Sequence, residues 1–351
     1  MEDEYITMGM AAYGSKVAST LMKRDFIDNE YDITFKENLH AGLSKNYRPH
    51  FDVQDIASSA QALCENLIYN VMRRAKDFNY STNLVYMGGV ALNCLANRNL
   101  GEYFEKIWIM PNPGDAGSSL GAAALAMGGP INFSNAYLGH DIPGEYPVNA
   151  ILDRLLTDRI VGVASGRAEF GPRALGNRSL LADPRGNDIK DKVNEIKRRQ
   201  KFRPFAPVIL EELVHDYFDM RGIDESPFMM YAVDVKADKV DKIPAVTHVD
   251  NTCRIQTVNK EQNEHYYNLI SAFNELTGTP ILFNTSFNLG GDPLVETVED
   301  AINTVAAQPQ APIKTVECWP GKLFEIHGNE QDGFEIRHGG KSLPSRFRNI
   351  D

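Results

Sequence analysis

Between Arg167 and Arg185 the chain carries four arginines in a stretch that cannot be one helix. Gly171, Pro172 and Gly176 interrupt it, and the arginines recur at uneven intervals among Ala, Leu and Ser. A solvated basic helix face would instead interleave Lys and Arg with Asp and Glu at helical spacing. FGPRALGNRSLLADPR (170–185) therefore reads as a loop shaped around an anion, most simply a phosphate. The apolar run RIVGVASG (159–166) enters it as a strand. A loop of that kind at a strand end predicts an α/β protein with ligand sites at the ends of its strands.

Arg167, Arg173 and Arg178 are the phosphate candidates, because the guanidinium is a fixed planar fork of donors suited to bidentate phosphate contact. Gly171 and Gly176 would let backbone N–H groups approach the same anion. The competing reading pairs the arginines with Glu169 and Asp183, and is strongest for Arg185, which follows an Asp-Pro turn. The background sharpens the signal. Of 351 residues 43% are hydrophobic and 24% charged, an ordinary globular balance, and the net charge is −11. An acidic chain is not built for general attraction to nucleic acid, so basic loops in it are specific features.

The same composition bounds the setting. Cys64, Cys94, Cys253 and Cys318 lie far apart without a CxxC pair, which excludes a disulfide framework or a zinc knuckle and makes a reducing compartment the expectation. No apolar run is long enough to span a membrane, and the acidic start MEDEYITMGMAAYG lacks the order of a signal peptide, so the expected location is cytoplasmic.

Periodicity supplies the elements. Residues 52–78 read as a helix capped by Asp52, with Ile56, Ala60, Leu63, Leu67 and Val71 inward. NLVYM (83–87) reads as a short buried strand ending at Gly88-Gly89, followed by a helix from Val90, the strand KIWIM (106–110) and a small-residue helix over 120–127. The Gly-, Pro- and Asn-rich segment 128–148 is the expected boundary between domains 1–135 and 136–351. Beyond it, a helix is expected over 188–200 with Ile189, Val193 and Ile196 inward, strands at 225–236 and 253–258, a helix over 265–276, and a strand over 279–288. Thr297 and Asp300 form a capping box, and the tail 343–351 is expected to fray.

Four further features bear on chemistry. The segment KRRQKFRPFAP (197–207) is a second basic cluster. Lys197 and Arg198 there are accounted for by a helix C-terminus, whereas Lys201 and Arg203, beyond the helix, are candidate phosphate ligands. NTSFN (284–288) sets Asn284, Ser286 and Asn288 after an apolar strand, as turn formers or as ligands for a ribose, phosphate or carbonyl. Asp115, between Gly114 and Gly117, is either a helix N-cap or a metal ligand. His40, His50, His140, His215, His248, His265, His327 and His338 show no zinc-hydrolase spacing, and His248 is the best ligand-binding candidate among them.

In order along the chain, MGMAAYG, GGVALNCLAN, PNPGDAGSSLGAA, GRAEFGPRALGNRSLLADPR, FRPFAP, RIQTV and TGTPILFNTSFNLGGDPLV resemble the O-carbamoyltransferase family of nodulation-factor and antibiotic biosynthesis. The resemblance implies an α/β chain in which part of an actin-like ATPase-fold domain precedes a YrdC-like α/β domain. It implies that carbamoyl phosphate and ATP form a carbamoyl-adenylate in the second domain, and that the first transfers the carbamoyl group to an acceptor hydroxyl. By motif position, Arg173, Arg178, Lys201 and Arg203 would carry the chemistry. Gly88, Gly89, Asn93, Arg167, His248, Arg254, Asn284, Ser286 and Asn288 would hold nucleotide or carbamoyl groups. Asp115 would ligate a metal, Mg²⁺ with ATP or Fe²⁺ at the transfer site.

The resemblance also sets an expectation about extent. Family members carry further chain before MGMAAYG, including the histidine metal ligands, so the sequence reads as the C-terminal part of such an enzyme. A separate N-terminal subunit would complete it, a chain limited to the adenylate-forming half-reaction is the alternative, and a nucleotide-binding remnant is the third reading. Related enzymes suggest a homodimer.

Overall fold

The computed structural model describes residues 4–307 except 40, 41, 43–46, 48 and 49, together with the backbone of four strands between 315 and 342. His40, the tail 343–351 and the side chains of Cys318, His327 and His338 lie outside the described part of the chain.

The chain folds as a mixed α/β structure around a sheet of 11 strands. From one edge these are Phe218–Asp219, Tyr231–Val235, Thr252–Val258, Ala206–Leu210, Ile281–Ser286, Arg178–Ala182 and Ile160–Ala164, continuing through Thr315–Cys318, Lys322–Asn329, Gly333–His338 and Lys341–Ser342. Thr252–Val258 pairs parallel with Ala206–Leu210, and Thr315–Cys318 with Ile160–Ala164; the other neighbours are antiparallel. The central strands are apolar throughout because both faces are covered. Alternate side chains therefore enter different cores: Leu180, Ile209, Ile281 and Phe283 belong to one, Leu181, Val208, Leu210 and Leu282 to the other.

Helices Val148–Thr157 and Lys260–Thr277 cover one face, through Ile151, Leu155, Leu269, Ile270 and Phe273. Helix Ile189–Ile196 covers the other, with Ile189, Val193 and Ile196 inward as their spacing predicts. The N-terminal region joins this second core through Ile68, Met72, Ala96, Leu100 and Ile109, so the two halves share buried surface. The expected capping box is present: Thr297 Oγ1 accepts the Asp300 N–H at 3.1 Å while the Asp300 carboxylate accepts the Thr297 N–H at 2.8 Å.

The N-terminal region departs from the sequence expectation in several respects, among them a 3₁₀ turn Gly89–Leu92 and a short helix Cys94–Asn97 in place of one helix from Val90. Helix Val53–Asp77 forms where expected, with Leu63, Leu67, Ile68 and Met72 buried, but the Asp52 side chain makes no capping hydrogen bond and Val71 faces outward. Asn83–Tyr86 and Lys106–Ile109 form only a two-stranded parallel sheet, and Val85 is 67% exposed rather than buried. Helix Ser118–Met127 buries none of its residues, and leaves Leu125 85% and Met127 73% exposed. No helix among the described residues is long and apolar enough to cross a membrane.

Phe283 tests this account of the core. It is fully buried in a central strand and lies against Phe205 with ring centroids 4.4 Å apart. Phe283→Ala is expected to lower the unfolding free energy by about 3–5 kcal/mol in urea titrations. A loss below ~1 kcal/mol would show that the strand does not sit where the large sheet's core requires.

A cationic cleft as the candidate site

The two basic segments meet across a cleft of about 380 Å³. Its walls are the N-terminal helix at Tyr5, Met8 and Gly9, the segment Cys94–Leu95, the arginine loop at Arg173, the turn Arg199–Phe205, strand residues Thr252–Arg254, and the strand end Thr285–Asn288. Four guanidinium groups, Arg173, Arg199, Arg203 and Arg254, therefore share one space. Asp250 is the one acidic residue in the wall, and it is occupied by the Thr252 N–H and hydroxyl at 3.1 and 2.7 Å. Among the described residues none of the four arginines forms an ion pair.

Aromatic faces and single acceptors hold the arginines instead. Arg199 lies over the Phe205 ring at 4.1 Å and donates to Asn194 Oδ1 at 2.7 Å. Arg203 lies over the Tyr5 ring at 4.6 Å. The Nε atoms of Arg173 and Arg254 are buried without a hydrogen-bond partner. Burial first, and then the facing Arg254, push the pKa of Arg173 down to about 9; burial and the neighbouring Arg203 and Arg254 do the same to Arg199. A guanidinium holds its proton strongly, so both shifts have one physical cause: desolvation beside like charges.

Lys197 stands behind this wall. Its ammonium donates to Ser286 O at 2.6 Å, Ser286 Oγ at 3.1 Å, Asn288 O at 3.0 Å and Asn288 Oδ1 at 2.6 Å. Burial, then Arg199 and Arg203, hold its pKa well below the usual lysine value. It thus ties the end of helix Ile189–Ile196 to the NTSFN segment. His248 Nε2 lies 3.0 Å from Gly9 O, which fixes Nε2 as the donor and leaves Nδ1 as a buried acceptor without a partner. Burial lowers the His248 pKa, which keeps the ring neutral.

The structure gathers Arg173, Arg203, His248, Arg254, Ser286 and Asn288 from the sequence candidates into this cleft. Asn284 lies behind the wall, donating to Ala174 O at 3.1 Å and Gln256 Oε1 at 2.8 Å. Arg178 does not reach the cleft. It is fully buried, and its guanidinium donates to the carbonyls of Glu296, Ser165, Gly166, Asn177 and His140 at 2.9–3.1 Å. Arg167 is exposed and donates to Leu138 O, and Lys201 is exposed in the turn. Arg185 pairs with Asp183 at 2.8 Å, as the competing reading had it. Glu169 engages no guanidinium in that way; it accepts backbone N–H groups of the arginine loop.

A second group of candidates lies at the C-terminal ends of the two parallel strands. Gly88 has φ +102°, and its N–H donates to Pro113 O at 2.7 Å, which brings Gly88-Gly89 against the 113–117 loop. Asn93 is engaged with Gln61 and caps helix Cys94–Asn97 through Ala96 N. Asp115 opens a single 3₁₀ turn. Among the described residues no group of three or more His, Cys, Asp or Glu side chains could hold a metal ion. Arg199, Lys197 and Tyr5 were not distinguishable as site residues in the sequence; only the position of Arg199 within the basic segment pointed to it.

Fold and site define an α/β protein with an unneutralised cationic cleft, suited to a polyanion with several phosphoryl groups. The model for the carbamoyltransferase N-terminus matches residues 2–124, and that for the carbamoyltransferase C-terminus matches 152–314. The chain belongs to the carbamoyltransferase family. It is similar to nodulation protein NolO of Bradyrhizobium diazoefficiens, 34% identical over 87% of this chain and 63% of that one. It is also similar to nodulation protein NolNO of Sinorhizobium fredii (35%, over 87% and 51%) and to an uncharacterized Methanocaldococcus jannaschii protein (32%, over 87% and 66%). The chain thus spans about half to two thirds of the length of these relatives. The expectation of a C-terminal part alone is corrected, since both the N- and the C-terminal family models are represented. A crystal structure of full-length HypF in the phosphate- and nucleotide-bound form superposes with a TM-score of 0.32 at 14% identity, covering 47% of this chain and 20% of that one.

Arg173 and Arg178 should behave oppositely. Arg178→Met removes the guanidinium that donates to five carbonyls, of which Asn177 O and His140 O keep a backbone N–H donor, and is expected to cost about 3 kcal/mol or more of stability. Arg173→Met removes an uncompensated charge, so its Tm should hold or rise, while the rise in Tm that pyrophosphate gives the unmodified protein should vanish. Thermal melts with and without pyrophosphate check both. A stable Arg178→Met protein, or an Arg173→Met protein still stabilised by pyrophosphate, would contradict these assignments.

Proposed function

We propose that the chain works in ATP-dependent carbamoyl transfer, and that the cleft is where carbamoyl phosphate and ATP, with its Mg²⁺, meet to form a carbamoyl-adenylate. The observation that carries this is the set of four arginines in one cavity without carboxylate partners. Carbamoyl phosphate and ATP together bring four phosphoryl groups, whose charge would offset that cluster and be stabilised by it as the bonds rearrange. Water first displaces the phosphate of carbamoyl phosphate, giving carbamate and inorganic phosphate. A carbamate oxygen then attacks the α-phosphorus of ATP, the α–β phosphoanhydride bond breaks, and pyrophosphate leaves. The adenylate next transfers its carbamoyl group to an acceptor hydroxyl, releasing AMP.

In this assignment Arg173, Arg199, Arg203 and Arg254 bind phosphates and hold them in register. Ser286, Asn288 and His248 offer hydrogen-bonding groups to the remaining ligand atoms. The proposal takes residues 1–135 as actin-like and 136–351 as YrdC-like, with Gly88 and Gly89 near a nucleotide in the former. No step is assigned to a transition metal.

A specific observation favours a partner polypeptide for the transfer step. The exposed apolar helix Ser118–Met127 and the bare two-stranded sheet beside it form the kind of surface that another chain covers. On this reading the first half-reaction belongs to the cleft alone.

The purified chain is expected to release pyrophosphate from ATP only when carbamoyl phosphate is present, and Arg173→Ala and Arg254→Ala should each lower that rate by on the order of a hundredfold or more. Release that does not depend on carbamoyl phosphate, or that survives both substitutions, would overturn the proposal.

A further inference from the structure

Side chains from outside the arginine loop bond its backbone almost continuously. Glu169 Oε1 accepts the N–H groups of Leu175, Asn177 and Arg178 at 2.8, 2.8 and 3.2 Å. On the carbonyl side, Asn284 Nδ2 donates to Ala174 O at 3.1 Å, Tyr137 Oη to Leu175 O at 3.0 Å, and Tyr146 Oη to Gly176 O at 3.2 Å. The Gly176 N–H donates to Ser179 Oγ at 3.0 Å, and Gln256 adds a second donor to Leu175 O at 3.2 Å. Gly176 has φ +120°, and a Cβ there would meet the Tyr266 ring at 2.4 Å, so the loop has no room to relax on that side.

Irregular buried backbone needs partners, and neutral groups would meet that need. A carboxylate is the costly choice. Glu169 is 8% exposed and its second oxygen has no hydrogen-bond partner. What a charged acceptor adds is stronger, shorter bonds to several N–H groups at once. The load on the loop explains why such bonds are needed. Arg173 stands one residue before the clamped segment and shares the cleft with Arg254, a like charge, so their mutual repulsion acts on the loop that carries Arg173.

We propose that Glu169 is a positioning residue for Arg173: by gripping three consecutive-region N–H groups of the loop it holds the guanidinium in the cleft against the repulsion of Arg254. The inference rests on the reading of the cleft as a polyanion site. Glu169 touches no substrate in this account and acts through the backbone of residues 175–178. The role also accounts for the engagement of the Leu175, Asn177 and Arg178 N–H groups by one carboxylate oxygen.

The test uses the full chain, with backbone amide exchange and calorimetric titration of pyrophosphate on the unmodified protein, Glu169→Gln, Arg173→Ala and the double variant. Glu169→Gln is expected to speed exchange at Leu175, Asn177 and Arg178 by roughly tenfold or more while Ile160–Ala164 and Ile281–Ser286 keep their protection. It should weaken pyrophosphate by about tenfold, and in the Arg173→Ala background it should change affinity hardly at all. Tyr137→Phe, which removes one donor to Leu175 O, gives the same pattern more weakly and serves if Glu169→Gln does not fold. A folded Glu169→Gln protein with unchanged affinity, or an equal loss with and without Arg173, would overturn the inference and leave a structural carboxylate only. An unmodified protein that binds no pyrophosphate would overturn the reading of the cleft, and the role of Glu169 with it; the exchange data separate that outcome from a loop that was never clamped.

Discussion

Like charges held together without a counter-charge are the constraint on which the rest of this structure turns. Arg173, Arg199, Arg203 and Arg254 share one cavity, and the acid in its wall is already hydrogen-bonded elsewhere. Such an arrangement opposes folding, because each buried guanidinium loses hydration and repels its neighbours. It persists because the surrounding fold over-determines it. Phe205 and Tyr5 support two of the arginines from below, and clamped backbone carries a third. A polyanion would reverse the sign of the repulsion, which is the physical basis of the phosphate site proposed above.

The large sheet supplies the rigidity this requires. Ile281–Ser286 runs between Ala206–Leu210 and Arg178–Ala182, and each of the three opens into a loop that contributes to the cleft or its backing. Two lysine and arginine side chains serve that frame rather than a ligand. Lys197 stitches the NTSFN segment to a helix end, and Arg178 collects carbonyls from three separate segments. Both are buried cations fully occupied by oxygen acceptors, and in that they contrast with the four in the cleft.

Much of the architecture was legible in the sequence. Strand–loop–helix alternation, the inward face of Ile189, Val193 and Ile196, and the Thr297 capping box depend on local periodicity and local hydrogen bonds, and all three are present. The anion site was legible as a region, since basic loops in an acidic chain mark it. Individual roles were not. Arg173 and Arg178 are five residues apart in one motif, and only the tertiary fold turns one into the cleft and the other into the core. Lys197 is more than a helix-end cation, being buried against the NTSFN segment, and Lys201 lies exposed outside the cleft, for the same reason: a helix end that meets a second loop buries its lysine, and a free turn does not. Glu169 carried no signal beyond its charge, because its partners are N–H groups that every residue possesses. The exposure of Val85 and helix Ser118–Met127 was equally invisible, since apolar sequence reports a tendency to be covered and not what covers it.

The central claim is that these arginines were brought together for a multiply charged phosphate compound. A crystal structure of the chain soaked with pyrophosphate tests it most directly. The account predicts the anion in the cleft, bridging Arg173 and Arg254, with the loop backbone of residues 174–178 unmoved. An empty cleft with the guanidinium groups turned onto carboxylates, or pyrophosphate bound at Arg167 or Lys201 instead, would contradict it.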